Sequence, residues 1–201
     1  HLPLRSSIPS SPIPREEPYF YPYEKTLGHT DGYFLIGLIY SVIRAFGTDP
    51  FLTAELSNVM LRVIGFFAFF VAVRQMFKLP FWTAVLTAAL FTLSNNLTIH
   101  GQRMQLATVA FAPIVALLMW HSLRALYEER ERRFAGYGAA AALLLGAWSI
   151  TCFYITWFFI FFTTFLFVFL LVGQTQAERR ELGRKIVRQK AGVFAVVLVT
   201  L

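Results

Sequence analysis

The sequence predicts an all-α fold: a polytopic transmembrane helical bundle with an extended outer loop and a short interfacial helix. Three observations predict it. Of 201 residues, 57% are hydrophobic and 14% are charged, and the mean hydropathy is +0.58. Soluble domains carry roughly 25% charged residues, so this chain lacks the polar surface that a water-exposed globule needs. Long apolar runs recur between short polar gaps, and the basic residues concentrate in alternate gaps.

Residues 1–32 form the outer, Pro-rich loop. Six of the nine prolines lie between Pro3 and Pro22. Proline fixes φ and removes a backbone donor, so this stretch is extended or looped. Its aromatic end, Tyr19 to Tyr23, is suited to packing on another part of the protein. Residues 33–46 are apolar but short: fourteen residues of helix rise about 21 Å, against a hydrocarbon core of about 30 Å. They predict an interfacial or re-entrant helix, closed by the turn Gly47-Thr48-Asp49-Pro50.

Residues 51–201 form the transmembrane bundle, with about five spans and the start of a sixth. Phe51 to Phe77 is the first span, with Glu55, Asn58 and Arg62 on one face of its first half. After Lys78-Leu79-Pro80, Phe81 to about Leu93 is the second, stopped by Ser94-Asn95-Asn96. Leu106 to Leu126 is the third, with a kink expected at Pro113. Phe134 to Trp148 and Phe153 to Val172 are the fourth and fifth, joined by Ser149 to Cys152. A polar, basic helix follows over 174–190, and a sixth span opens near Ala191. The start at His1 and the end inside the apolar run from Val193 are what a processed or partly covered chain would display.

Charge sets the expected topology. The gaps 74–78, 124–133 and 174–190 are basic, whereas 94–105 and 149–152 hold only Arg103. Positive-inside orientation puts the basic gaps in the cytoplasm. Residues 1–32 then share the outer face with 94–105 and 149–152.

Several functions are disfavoured at this stage. The net charge of +7 is spent on topology, and no basic face is interleaved with a stacking platform, so nucleic acid is not an expected partner. One cysteine, Cys152, makes neither an internal disulfide nor a cysteine zinc site. No phosphate-cradling glycine loop, HExxH motif or GxSxG elbow occurs. Few charges within the spans and no inverted repeat argue against a transporter.

Three groups carry candidate chemistry. Glu55, Asn58 and Arg62 in the first span suit either a functional set or a structural pair. Glu24, His29 and Asp31 precede the interfacial helix. A carboxylate near a histidine at a membrane surface suits a catalytic base, and a divalent metal is a candidate cofactor. Asp31 suits a helix cap equally well. His100, Gln102, Arg103 and Gln105 lie at the mouth of the third span. An arginine with amides there suits a phosphate or a sugar hydroxyl, and loop solvation is the simpler alternative.

The stretch Tyr21-Pro22-Tyr23-Glu24-Lys25-Thr26-Leu27-Gly28-His29-Thr30-Asp31 resembles a "YP-x-x-x-TL-x-x-[ST]-[DE]" pattern. It is similar to bacterial multi-spanning proteins grouped with the GT-C class of membrane glycosyltransferases. Gly47-Thr48-Asp49-Pro50, Leu93-Ser94, His100, Gln105 and Pro113 extend the likeness over roughly residues 19–172. The resemblance implies an all-helical bundle with a long outer loop, in a bacterial inner membrane. It implies transfer of a sugar from a polyprenyl-phosphate donor on the outer face. In that class the usual catalytic Asp follows a first span, and both positions are missing from this sequence. Asp31 and Glu24 match the later part of the same outer loop and are the catalytic candidates, with His29, His100, Gln102, Arg103 and Gln105 on the substrate. Arg103 stands where relatives carry histidine. The expected partners are thus a lipid-linked sugar and membrane lipids. The alternative is a non-catalytic subunit, packed against other membrane subunits through its Phe-rich fifth span.

Overall fold

The computed structural model describes residues 32–94 and 104–188. The chain through Asp31, the stretch 95–103 and the run from 189, where a sixth span is expected, lie outside the described residues.

Helix α1, Phe34–Arg44, follows Tyr33, whose backbone is left-handed at φ 50°. Ile36 is buried, and Leu35 and Ile39 pack beside it. Phe34, Leu38 and Val42 are exposed at a four-residue spacing. Helix α1 thus presents one apolar face to the core and a second apolar face that is exposed.

Gly47 takes φ 79°, in the left-handed region that glycine enters freely. Asp49 then caps α2, Pro50–Met76, by accepting from the amides of Phe51 and Leu52 at 3.0 and 3.1 Å. Pro50 suits the first helical position because that amide has no partner in any helix. Thr53, Ser57, Leu61, Gly65 and Ala72 form the buried stripe of α2. At Gly65 the bundle closes tightly: a Cβ there would sit 3.1 Å from the Ala110 Cβ.

Helix α3, Phe81–Thr92, has 12 residues and rises about 18 Å. It is shorter than a bilayer-crossing helix, although the sequence pattern reads as a span. Its Phe91 stacks on Phe69 at 4.5 Å.

The third long element is composite. Helix α4, Met104–Ala107, passes through a 3-10 turn, Thr108–Phe111, into α5, Ala112–Tyr127. The expected kink at Pro113 is realised as this tightened turn. Proline cannot donate to the carbonyl four residues back, and its ring crowds that carbonyl.

Helix α6, Glu131–Thr151, and α7, Phe153–Gly173, are separated by Cys152 alone, extended at φ −151° and ψ 95°. The sequence places the end of α6 at Trp148, but the helix runs three residues further. Ser149 Oγ and Thr151 Oγ1 donate back to the carbonyls of Leu145 and Ala147 at 2.9 and 2.7 Å, so these polar residues continue the helix. Helix α8, Gln176–Arg188, follows a short turn.

Among the described residues, four helical stretches are long and apolar enough to cross a membrane: Pro50–Met76, Gln105–Tyr127, Glu131–Thr151 and Phe153–Gly173. The protein is an all-α bundle consistent with a polytopic membrane protein. Its core gathers Ile36, Leu61, Ala107, Ala110, Phe111 and Trp148. At the bundle's basic end, His121 Nε2 donates to Gln75 Oε1 at 2.8 Å and its ring stacks on Tyr137 at 5.2 Å. That histidine ties α2, α5 and α6 together. Nearby, the Arg124 guanidinium beside Glu128 holds its carboxyl below the usual range.

Candidate functional site

The opposite end of the bundle collects three segments that are distant in sequence. The Gly32 amide donates to the Ile150 carbonyl at 2.9 Å. The Leu35 amide donates to Thr151 Oγ1, also at 2.9 Å. Gln105 Nε2 donates to the Tyr33 hydroxyl at 2.5 Å. The chain that leaves the Pro-rich loop is thus tied to the α6–α7 junction and to the mouth of α4. Gly32 is needed for the first tie, because a Cβ there would lie 2.7 Å from the Ile150 oxygen.

Two of these contacts depend on local features. Tyr33 holds its left-handed backbone just before α1, a conformation costly for a bulky residue. The Gln105 carbonyl accepts from Thr108 Oγ1 at 2.6 Å. That hydroxyl accepts in turn from the buried Trp148 Nε1 at 3.0 Å. A chain of hydrogen bonds therefore runs from the core to the rim of the bundle.

Arg62 lies just beneath this rim. Gly65, Arg62 and Asn58 are spaced along one face of α2. Gly65 meets Ala110 and the Phe91 ring, so Arg62 sits one turn outward of that level and Asn58 two turns outward. Asn58 is buried and Arg62 is half-buried. The Arg62 Nε is out of solvent and has no hydrogen-bond partner among the described residues. Among the described residues, the ion pairs join Arg124 and Arg130 to Glu128, and Lys185 to Glu181; none includes Arg62. A cation placed so within a spanning helix is a functional candidate.

Of the residues singled out from the sequence, Gln105 is at this rim. Glu24, His29, Asp31, His100, Gln102 and Arg103 lie outside the described residues. Tyr33 is the position the structure adds. Arg62 carries a sequence signal, a lone charge inside an apolar run. Tyr33 carries none, because its role depends on a residue 72 positions away. Among the described residues, no three His, Cys, Asp or Glu side chains gather to hold a metal.

No known protein family matches this chain, and neither curated proteins nor solved structures provide a match.

Proposed function

We propose that this protein is a membrane glycosyltransferase of the GT-C kind, taking a sugar from a polyprenyl-phosphate donor at the outer face of a bacterial inner membrane. The observation that carries the reading is the joining of Gly32–Leu35, Gln105 and Ile150–Thr151 at one rim of the bundle, above Arg62, whose Nε has no hydrogen-bond partner among the described residues. A rim at the end of spanning helices suits a lipid-borne substrate, and a half-buried guanidinium suits its phosphate. The motif resemblance over residues 19–172 supports the same reaction.

In this reading Asp31 or Glu24 takes the proton from an acceptor hydroxyl. The acceptor oxygen bonds to the anomeric carbon as the bond from that carbon to the phosphate oxygen breaks. The departing polyprenyl phosphate is held by Arg62 and Arg103. His29, His100, Gln102 and Gln105 position the sugar. The test is sugar transfer by the purified protein from a radiolabelled undecaprenyl-phosphate sugar. Asp31→Ala and Arg103→Ala are each expected to lower transfer at least a hundredfold. Unchanged transfer in both removes the assignment.

A second reading is favoured by one feature: Thr156 is the lone buried residue along α7. A helix so open to its surroundings suits a subunit seated against other membrane chains. Co-purification in a fixed ratio with another membrane protein, without transfer activity, selects that reading.

A further inference from the structure

We infer that α8 and the neighbouring arginine run form a docking surface for anionic phospholipid headgroups. Helix α8 carries five basic residues against two glutamates, a net charge of +3. Two of the five hold the helix in place. Arg179 donates from Nη2 to the carbonyls of Val172 and Gln174 at 3.2 and 3.0 Å, covering the end of α7. Lys185 lies over the Tyr127 ring, 5.0 Å from its centroid, at the end of α5. Helix α8 is thereby pinned across the ends of two membrane-length helices. A helix fastened so lies at the depth of the headgroups rather than free in water.

Of the other three, Arg180 and Arg184 are exposed, and they stand four residues apart on one face. Neither has an ion-pair partner among the described residues. Three residues beyond Tyr127 begins Arg130-Glu131-Arg132-Arg133, all exposed, which lines an open recess of about 470 Å³. Arg130 pairs with Glu128 at 3.4 Å, leaving Arg132 and Arg133 unpaired among the described residues. Four uncommitted guanidiniums at headgroup depth fit phosphate diesters, which they bind through paired N–H groups. Topology alone does not require this arrangement: positive charge orients a membrane protein without a helix being fastened along the surface.

The test uses the full chain in detergent, with equal amounts of phosphatidylglycerol and phosphatidylcholine. Native mass spectrometry counts the lipids each molecule retains. Phosphatidylglycerol is expected to be enriched about tenfold, and each pair of arginines replaced is expected to lower that enrichment about threefold. The variants are Arg180→Gln/Arg184→Gln and, independently, Arg132→Gln/Arg133→Gln. Enrichment should fall in 0.5 M salt, as screening requires. Equal retention of the two lipids by the unaltered protein overturns the proposal and leaves the arginines to an acidic protein. Undiminished enrichment in both double variants overturns it as well. The readout is independent of sugar transfer, so the two proposals fail separately.

Discussion

Gln105 donates its side-chain amide to the Tyr33 hydroxyl at 2.5 Å, joining the start of α1 to the mouth of α4. The pair holds the rim together from one side, while Gly32 and Leu35 hold it from the α6 end. Tyr33→Phe removes the hydroxyl and keeps the ring. A net hydrogen bond contributes about 1 kcal/mol, so amide exchange at Leu35 should speed up about fivefold. Unfolding of the core should barely change.

Gly32→Ala tests the other tie. The added methyl would press on a backbone oxygen at 2.7 Å, which no rotamer change relieves. The Gly32–Ile150 bond should break. Exchange should rise across 32–35 by more than in Tyr33→Phe, and sugar transfer should fall with it. Unaltered exchange would show that the rim tolerates the methyl.

Trp148 is fully buried and donates to the equally buried Thr108. Trp148→Phe removes that donor, at a cost of about 1–3 kcal/mol. Trp148→Ala adds a cavity and should cost about 3–5 kcal/mol. Thermal unfolding in detergent measures both. A Phe variant as damaging as the Ala variant would mean that the hydrogen bond, rather than the volume, holds this part of the core.

Gly65 allows α2 to approach Ala110 closely. Gly65→Leu overpacks that contact and should destabilise the bundle by about 1–3 kcal/mol. The same unfolding measurement checks it, with Gly136→Leu as a control, since nothing lies within 4 Å of a Cβ at Gly136.

The start of α8 should depend on pH. The Thr175 amide and hydroxyl donate to Glu178 Oε2 at 2.8 and 2.9 Å, a capping box. These bonds hold the Glu178 carboxyl below its ordinary value of 4.5. A depressed carboxyl stabilises the fold above its ordinary pKa, and that contribution is lost as pH falls through the depressed value. Exchange over the first turn of α8 should therefore quicken below about pH 4.5. Glu178→Gln should remove the pH step.

The long apolar helices were legible because hydropathy over some twenty residues reports directly on a bilayer. The turn at Gly47–Pro50 was legible too, since each of its residues has a local reason to be there. Helix ends were less so. Ser149 and Thr151 look like loop residues, but their hydroxyls return to helix carbonyls, and nothing in the sequence distinguishes the two uses. The rim was half legible: Gln105 stands out as a polar residue at a span's mouth, while Tyr33 depends on pairing across the fold. Arg62 was visible as a charge, but the isolation of its Nε among the described residues is a property of packing alone.

The length of α3 has a consequence for the lipid around the protein. Its 12 residues leave it about 12 Å short of the hydrocarbon thickness. The last carbonyls of a helix lack partners within it, and such groups do not face acyl chains. In a bilayer, a shortfall of that size is met by local thinning, at fractions of a kcal/mol per ångström. The end of α3 lies at the level of Gly65, beside the Phe91 ring, one turn from Arg62 on α2. Thinning there would bring headgroups closer to that guanidinium than elsewhere around the bundle.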